Sequence, residues 1–171
     1  MIPNAIEQIA EHPKTRINLL DNDPKEFHSL NFDSDNITIK RENKFKAYVT
    51  IAHGCDNFCT YCIVPYARGH NRSVPEELVI KQIRCLLKSG FTEICLTGVD
   101  ICSYQPSFTD LVEHILQQIP ELPLLNFGSL DLAAIDDRFI KLLEQYHNIG
   151  NCFHFSVQSG DNEVLRKMKT I

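Results

Sequence analysis

Cys55, Cys59 and Cys62 stand in the spacing C-x3-C-x2-C within the run AHGCDNFCTYCIVPYARG. Three thiolates on one short loop can hold three corners of a cubane iron–sulfur cluster. Such a loop leaves the fourth iron without a protein ligand, and an open metal position is what a catalytic centre offers to a substrate. Tetrahedral zinc is the competing chemistry, with His53 or His70 as the fourth donor. Zinc sites usually pair two knuckles of two ligands, and only one knuckle is visible here. Unliganded thiols are the third reading. Free cysteines are mostly buried singly as small apolar groups; three within eight residues, beside Gly54 and polar neighbours, do not follow that habit.

Cys85, Cys95, Cys102 and Cys152 show no ligand spacing and read as buried or incidental thiols. Seven cysteines is an odd count, and the opening MIPNAIEQIAEHPK has no apolar core of a secretory signal. A disulfide framework is therefore not expected, and a reducing cytoplasm is. The composition, 43% hydrophobic and 23% charged, is that of an ordinary soluble domain. No apolar run approaches the ~20 residues of a membrane span. A net charge of −5 gives no bulk attraction to nucleic acid. Basic spots at Lys40-Arg41, at Arg68, His70 and Arg72, and at Arg166-Lys167-Lys169 read as solvated surface. An RNA-binding surface would then be small, local or on another chain.

The elements that must position the cysteine loop follow from periodicity. Residues 1–43 are polar, with turn signals at 21–24 and 33–36 and room for a short helix at 5–11; they read as a tail or linker. Residues 45–52, FKAYVTIA, are rich in β-branched and aromatic residues and predict strand one, which runs straight into the cysteines. Ser73-x-x-Glu76 reads as a capping box, with Pro75 suited to a first turn. Val79, Ile83, Leu86 and Leu87 share a helical face over 76–89, and Gly90 stops it. Strand two is expected at 92–97, and Ser107 opens a helix that Pro120 ends. Strand three is expected at 124–130, a helix opens at Asp136-Asp137, strand four lies at 153–157, and Asp161 begins a last helix.

Repeated βα units with short connections imply an α/β fold, a partial (βα) barrel with about four units and an open parallel sheet. Ligands in such folds bind at the carboxyl ends of the strands. One rim then collects residues 54–62, 98–100, 129–131 and 158–160, so the chemistry-bearing loop meets three polar strand ends, two of them containing glycine. The simpler roles are also open. Gly98 and Gly160 serve strand-to-helix turns, Asp100 and Ser129 act as caps, and His154 is a satisfied core histidine among apolar neighbours.

These rim segments together resemble the methylthiotransferase branch of the radical S-adenosylmethionine (radical SAM) enzymes. GCDNFCTYCIVPYARG resembles the cluster loop of that family, LTGVD at 96–100 its second strand end, FGSLD at 127–131 its third, and FSVQSG at 155–160, followed by VLRKMK, its fourth. The resemblance covers about residues 44–169. It implies that Cys55, Cys59 and Cys62 ligate one 4Fe-4S cluster and that the SAM amino and carboxylate groups take the open iron. It implies further that Tyr61 sits near the SAM adenine, that Gly98, near Thr97 and Asp100, admits the amino group and sugar, and that Ser129 and Gln158 meet SAM or polar groups around it. The family is reduced by a donor such as flavodoxin or ferredoxin and acts on tRNA, or in one subgroup on a ribosomal protein. The wording LTGVDICSY and GSLD is most similar to the subgroup that modifies threonylcarbamoyladenosine 37 of tRNA; relatives act on isopentenyl-adenosine.

The chain also departs from that pattern. The family carries an amino-terminal domain with three further cysteines for a second cluster, whereas no cysteine precedes Cys55. It also has two more βα units and a carboxyl-terminal RNA-binding β-barrel. Val74 stands where many relatives have Arg. On this reading residues 1–43 are a linker or remnant of the preceding domain, residues 44–171 are a partial radical SAM core, and complementary fragments of the same enzyme are candidate partners. Four strands cannot close a barrel, and strand four would show an apolar edge. A non-catalytic remnant, a radical SAM enzyme of another reaction class and a zinc-binding module remain as alternatives.

Overall fold

The computed structural model describes residues 45–132 and 135–170. The expected helix at 5–11, the two turns and the linker reading of 1–43 lie outside the described residues.

The first strand, β1 (Lys46–His53), alternates as its sequence predicts: Ala47, Val49 and Ile51 are fully buried, whereas Tyr48 between them is 53% exposed. A short helix α1 (Val64–Arg68) opens on Pro65 and leads to β2 (Arg72–Ser73). Helix α2 (Glu76–Lys88) buries Val79, Ile80, Ile83 and Leu86 and is followed by Gly90 at φ +89°, the left-handed geometry glycine tolerates. β3 (Glu93–Gly98), α3 (Phe108–Gln118), β4 (Leu124–Phe127), β5 (Ser129–Leu130), α4 (Asp137–Gln145), β6 (His154–Phe155) and α5 (Asn162–Met168) complete the order.

Three helix starts match their sequence signals. Ser107 Oγ accepts from Asp110 N at 3.1 Å, Asp136 Oδ1 from Phe139 N at 2.7 Å, and Asp161 Oδ1 from Glu163 N and Val164 N at 2.7 and 3.1 Å. The capping box at Ser73 does not form. Pro75 is the residue before α2 and no side chain caps it. Ser73 lies in β2, where its hydroxyl accepts from Gln105 N at 2.7 Å, and Glu76 faces His114 at 3.1 Å.

The sheet runs β2-β1-β3-β4. β1 pairs with β3, and β3 with β4, in parallel, with Ile94 opposite Ala47 on one side and Leu125 on the other. β2 pairs antiparallel with β1 through Ala52↔Ser73 and His53↔Arg72, an addition that periodicity did not announce. The strand expected at 124–130 is broken at Gly128. Its N–H still donates to Leu96 O at 2.8 Å, after which the chain leaves β3 and β5 pairs in parallel with β6. The partner strand is broken as well. Leu125 bridges Ile149, and ordered pairing resumes only at His154. Strand four is thus two residues long where five were expected. Among the described residues its other edge has no partner strand, while its aromatic side chains pack together: Phe153 and Phe155 stack at 6.1 Å, and Phe153 meets Phe127 at 6.2 Å and Phe139 at 6.4 Å. Helices α2, α3 and α4 cover the face that carries Val49, Ile51, Ile94, Leu96 and Leu125, which form one buried apolar core with Ile83, Leu111, Ile115 and Phe139.

Candidate functional site

The cysteine loop is fastened at its entry by backbone. Gly54 is buried at φ +71°, and a Cβ there would meet the carbonyl of His70 and come within 2.5 Å of that of Gly69. Cys55 N–H donates to Gly69 O at 3.2 Å. Only glycine allows both the left-handed turn and this approach. Asp56 adds a second tie, with Oδ1 2.5 Å from His70 Nδ1 and Oδ2 accepting from Asn71 N at 3.2 Å. The His70 hydrogen bond holds the Asp56 carboxyl below its ordinary range. The loop's far side is tied across the rim: Thr60 N–H donates to Met168 O at 3.0 Å, at the end of α5. Cys62 N–H donates to Cys59 O at 3.0 Å, a tight turn between the last two cysteines.

Asp100, at the end of β3, joins the loop to the next strand end. Its carboxylate accepts from Asn57 Nδ2 at 3.0 Å, from Ser103 Oγ at 2.8 Å and from Ser103 N at 3.3 Å. The Cys55 thiol donates to it at 3.6 Å. Asp100 is therefore a turn cap and a cross-link at once. Burial pushes the Cys55 thiol up and the Asp100 charge adds to this, while the Asn57 N–H on its sulfur at 3.5 Å opposes both. Burial and the Cys59 sulfur raise the Tyr61 phenol.

Ser129, at the start of β5, shares hydrogen bonds of 2.7 Å with His154 Nδ1 and of 2.7 Å with Ser156 Oγ. His154 is exposed, not a core histidine. The run FHFSV alternates, so its apolar neighbours lie on the other side of the strand. Gln158 turns the chain at φ +63°.

Cys55, Cys59, Tyr61, Asp100, Ser129 and Gln158 line one cleft of about 790 Å³ at the carboxyl ends of the strands. Cys62, Thr97 and Gly98 do not line it. The bareness of Gly98 is taken up within the sheet, since a Cβ would stand 2.6 Å from Ala52 O and 2.9 Å from Ile101 Cγ2. Gly160 has open space where a Cβ would go. Asn57 and Asp131, inside the expected rim segments, also line the cleft, as do Ser156 and Lys169, the latter expected only as solvated surface. Ser156 was reachable through the same alternation that places His154. Cys102 lines it too: its Sγ accepts from Asp131 N at 3.1 Å, and burial pushes its thiol up to about 11. Among the described residues no three His, Cys, Asp or Glu side chains converge on a single ion position. A cubane cluster does not ask for that convergence, because each thiolate takes its own iron. Among the described residues no helix is long and apolar enough to cross a membrane.

Comparison with known proteins agrees with this geometry. The family model for the radical SAM superfamily matches residues 49–171. The chain is 38% identical over 134 residues to the threonylcarbamoyladenosine tRNA methylthiotransferase MtaB of Rickettsia prowazekii, covering 75% of this chain and 32% of that protein. It is 39% identical over 139 residues to a tRNA-2-methylthio-N(6)-dimethylallyladenosine synthase of Anoxybacillus flavithermus, covering 78% and 26%. The fold is similar to the solved structure of the radical SAM methyltransferase TsrM from Kitasatospora setae, with TM-score 0.60 and 17% identity over 71% of this chain and 24% of that one. The chain belongs to the radical SAM superfamily. Among curated proteins it is similar to tRNA methylthiotransferases, and it spans about a quarter to a third of the length of those relatives.

Proposed function

We propose that this chain carries the cluster- and SAM-binding core of a methylthiotransferase that modifies an adenosine near the tRNA anticodon. The supporting observation is the meeting of the C-x3-C-x2-C loop with the ends of β3, β5 and β6 on one cleft. Cys55, Cys59 and Cys62 would each hold one iron of a 4Fe-4S cluster, leaving the fourth to SAM. When bound, the cluster supplies the electron that splits SAM into methionine and a 5′-deoxyadenosyl radical, which takes hydrogen from the base.

The chain's own groups prepare that site. Cys55 must release its proton to ligate. Asp100 loses one donor when it does so and keeps three, from Asn57 and Ser103, so the carboxylate stays satisfied. The Asn57 N–H stays on the Cys55 sulfur, where hydrogen bonds tune a cluster's potential. Tyr61, with its phenol raised, offers a neutral ring to the adenine. Ser129 and Gln158 offer polar contacts to SAM. Threonylcarbamoyladenosine is the favoured substrate, on the wording LTGVDICSY and GSLD. A flavodoxin- or ferredoxin-like donor, tRNA and complementary chains of the same enzyme type are the partners this reading implies, in a reducing cytoplasm.

The test is anaerobic reconstitution with iron and sulfide, addition of SAM and dithionite, and measurement of 5′-deoxyadenosine. The wild type is expected to form it and Cys62→Ala to lose it by at least about a hundredfold, the scale of removing a group that the chemistry cannot replace. Soluble, iron-loaded wild type that forms none would overturn the proposal.

A further inference from the structure

The open side of β5 and β6 carries a group of three side chains of which the proposed chemistry uses only Ser129. Ser129 and His154 are paired in register across the two strands, and Ser156 follows His154 by two residues. Paired positions on parallel strands, and positions two apart on one strand, share a face. The other face of β6 belongs to Phe153 and Phe155, which pack against the core. Alternation therefore brings three hydrogen-bonding groups together in a row: His154 Nδ1, Ser129 Oγ at 2.7 Å and Ser156 Oγ a further 2.7 Å on. Ser129 and Ser156 line the cleft that holds the cysteine loop; His154 stands behind them and does not line it.

A row of this kind has a direction, because each hydroxyl has one proton. If Nδ1 carries hydrogen, it donates to Ser129. Ser129 then donates to Ser156, and the Ser156 proton is left for the cleft. If Nδ1 is bare, Ser129 donates to it and Ser156 donates to Ser129. The cleft then meets only the lone pairs of Ser156. The imidazole thus decides whether the far end of the row offers a donor or an acceptor. A serine rotor without such a partner samples both.

We propose that His154 is a positioning residue for ligand binding: acting through Ser129, it turns the Ser156 hydroxyl as a donor toward the polar part of SAM. The carboxylate and ribose oxygens of SAM are acceptors, so the form with hydrogen on Nδ1 is the binding form. The inference rests on the reading of the cleft as a SAM site. It adds a residue that does not touch the ligand and a reason for the polar alternation of β6.

The test is SAM affinity of the full, iron-loaded chain, measured anaerobically by equilibrium dialysis with labelled SAM. His154→Ala is expected to weaken binding about five- to tenfold, the worth of one lost hydrogen bond. His154→Asn can place an amide N–H near the Nδ1 position and is expected to bind within about twofold of wild type. In a Ser129→Ala background, His154→Ala is expected to cost nothing further, because the row is already cut. Iron content and the visible absorbance of each variant report folding separately, and His154 is exposed, so a change there does not empty the core. Unchanged affinity in His154→Ala, no rescue by His154→Asn, or a full additional loss in the Ser129→Ala background would each overturn the inference while leaving the SAM reading in place. Iron-loaded wild type that binds no SAM would overturn both.

Discussion

The two margins of the cleft are built differently. On one side, the cysteine loop hangs from β1, whose neighbours β2 and β3 bond it along both edges. Ala47, Val49, Ile51 and Ala52 are fully buried behind it. On the other side, Ser129, Ser156 and Gln158 hang from two strands of two residues each, followed by α5, which buries no residue. Metal ligands must keep fixed mutual positions, whereas contacts to a small molecule tolerate a margin held by hydrogen bonds and a few aromatic rings. The difference places the stiffer scaffold under the part of the site with the stricter geometry.

Glycines on the two margins test this most severely. Gly54→Ala puts a side chain at φ +71° against the carbonyl of His70. A cost of about 3 kcal/mol is expected from the strained backbone and the clash together, along with loss of most bound iron. Gly160→Ala meets nothing within 4 Å and is expected to stay within ~0.5 kcal/mol of wild type. Urea unfolding and iron content per chain check both. Equal costs for the two would remove the proposed asymmetry. A second pair sharpens it at the level of packing. Ile94→Ala, near the start of β3 and fully buried, is expected to cost about 3 kcal/mol as a large-to-small change. Val164→Ala, on exposed α5, is expected to cost no more than ~0.5 kcal/mol, since alanine is the better helix former.

The same asymmetry explains what sequence could and could not say. β1 and helices α2 to α4 were legible because each buries one face, and burial writes a period into the chain; β3 was legible as a short apolar run buried on both faces. The cysteine loop was legible by residue type and spacing alone. The β5–β6 margin was not. It is half-exposed and broken at Gly128, and a two-residue strand is too short to show a period against its neighbours. His154 was misread for that reason: its apolar flanks suggested a core strand, whereas two of them are its back face. Ser73 failed differently. A Ser three residues before a Glu signals a cap only where the chain enters a helix at the Ser, and here it first pairs with β1. Asn57 and Asp100 meet across 43 residues of sequence, a contact no local pattern encodes.

A pH-dependent effect concerns Cys102, which lines the cleft and accepts from the Asp131 N–H. Burial raises its folded-state thiol from an ordinary value of 9.0 to about 11. A group whose folded pKa is raised holds its proton more tightly when folded. Its contribution to stability is complete below about pH 9 and is lost as pH rises toward about 11. Cys102→Ala removes that titration. Wild type and variant are then expected to differ by a constant amount up to pH 9, and the gap is expected to narrow between pH 9 and 11. Tyr104, raised to about 12 by burial, titrates in both chains and cancels in the comparison. Urea midpoints for the two proteins at pH 8, 9, 10 and 11, in the absence of iron, measure it. A gap that stays constant through pH 11 would show that the thiol is solvated in the folded chain, and that the cleft between the margins is wetter than its lining residues suggest.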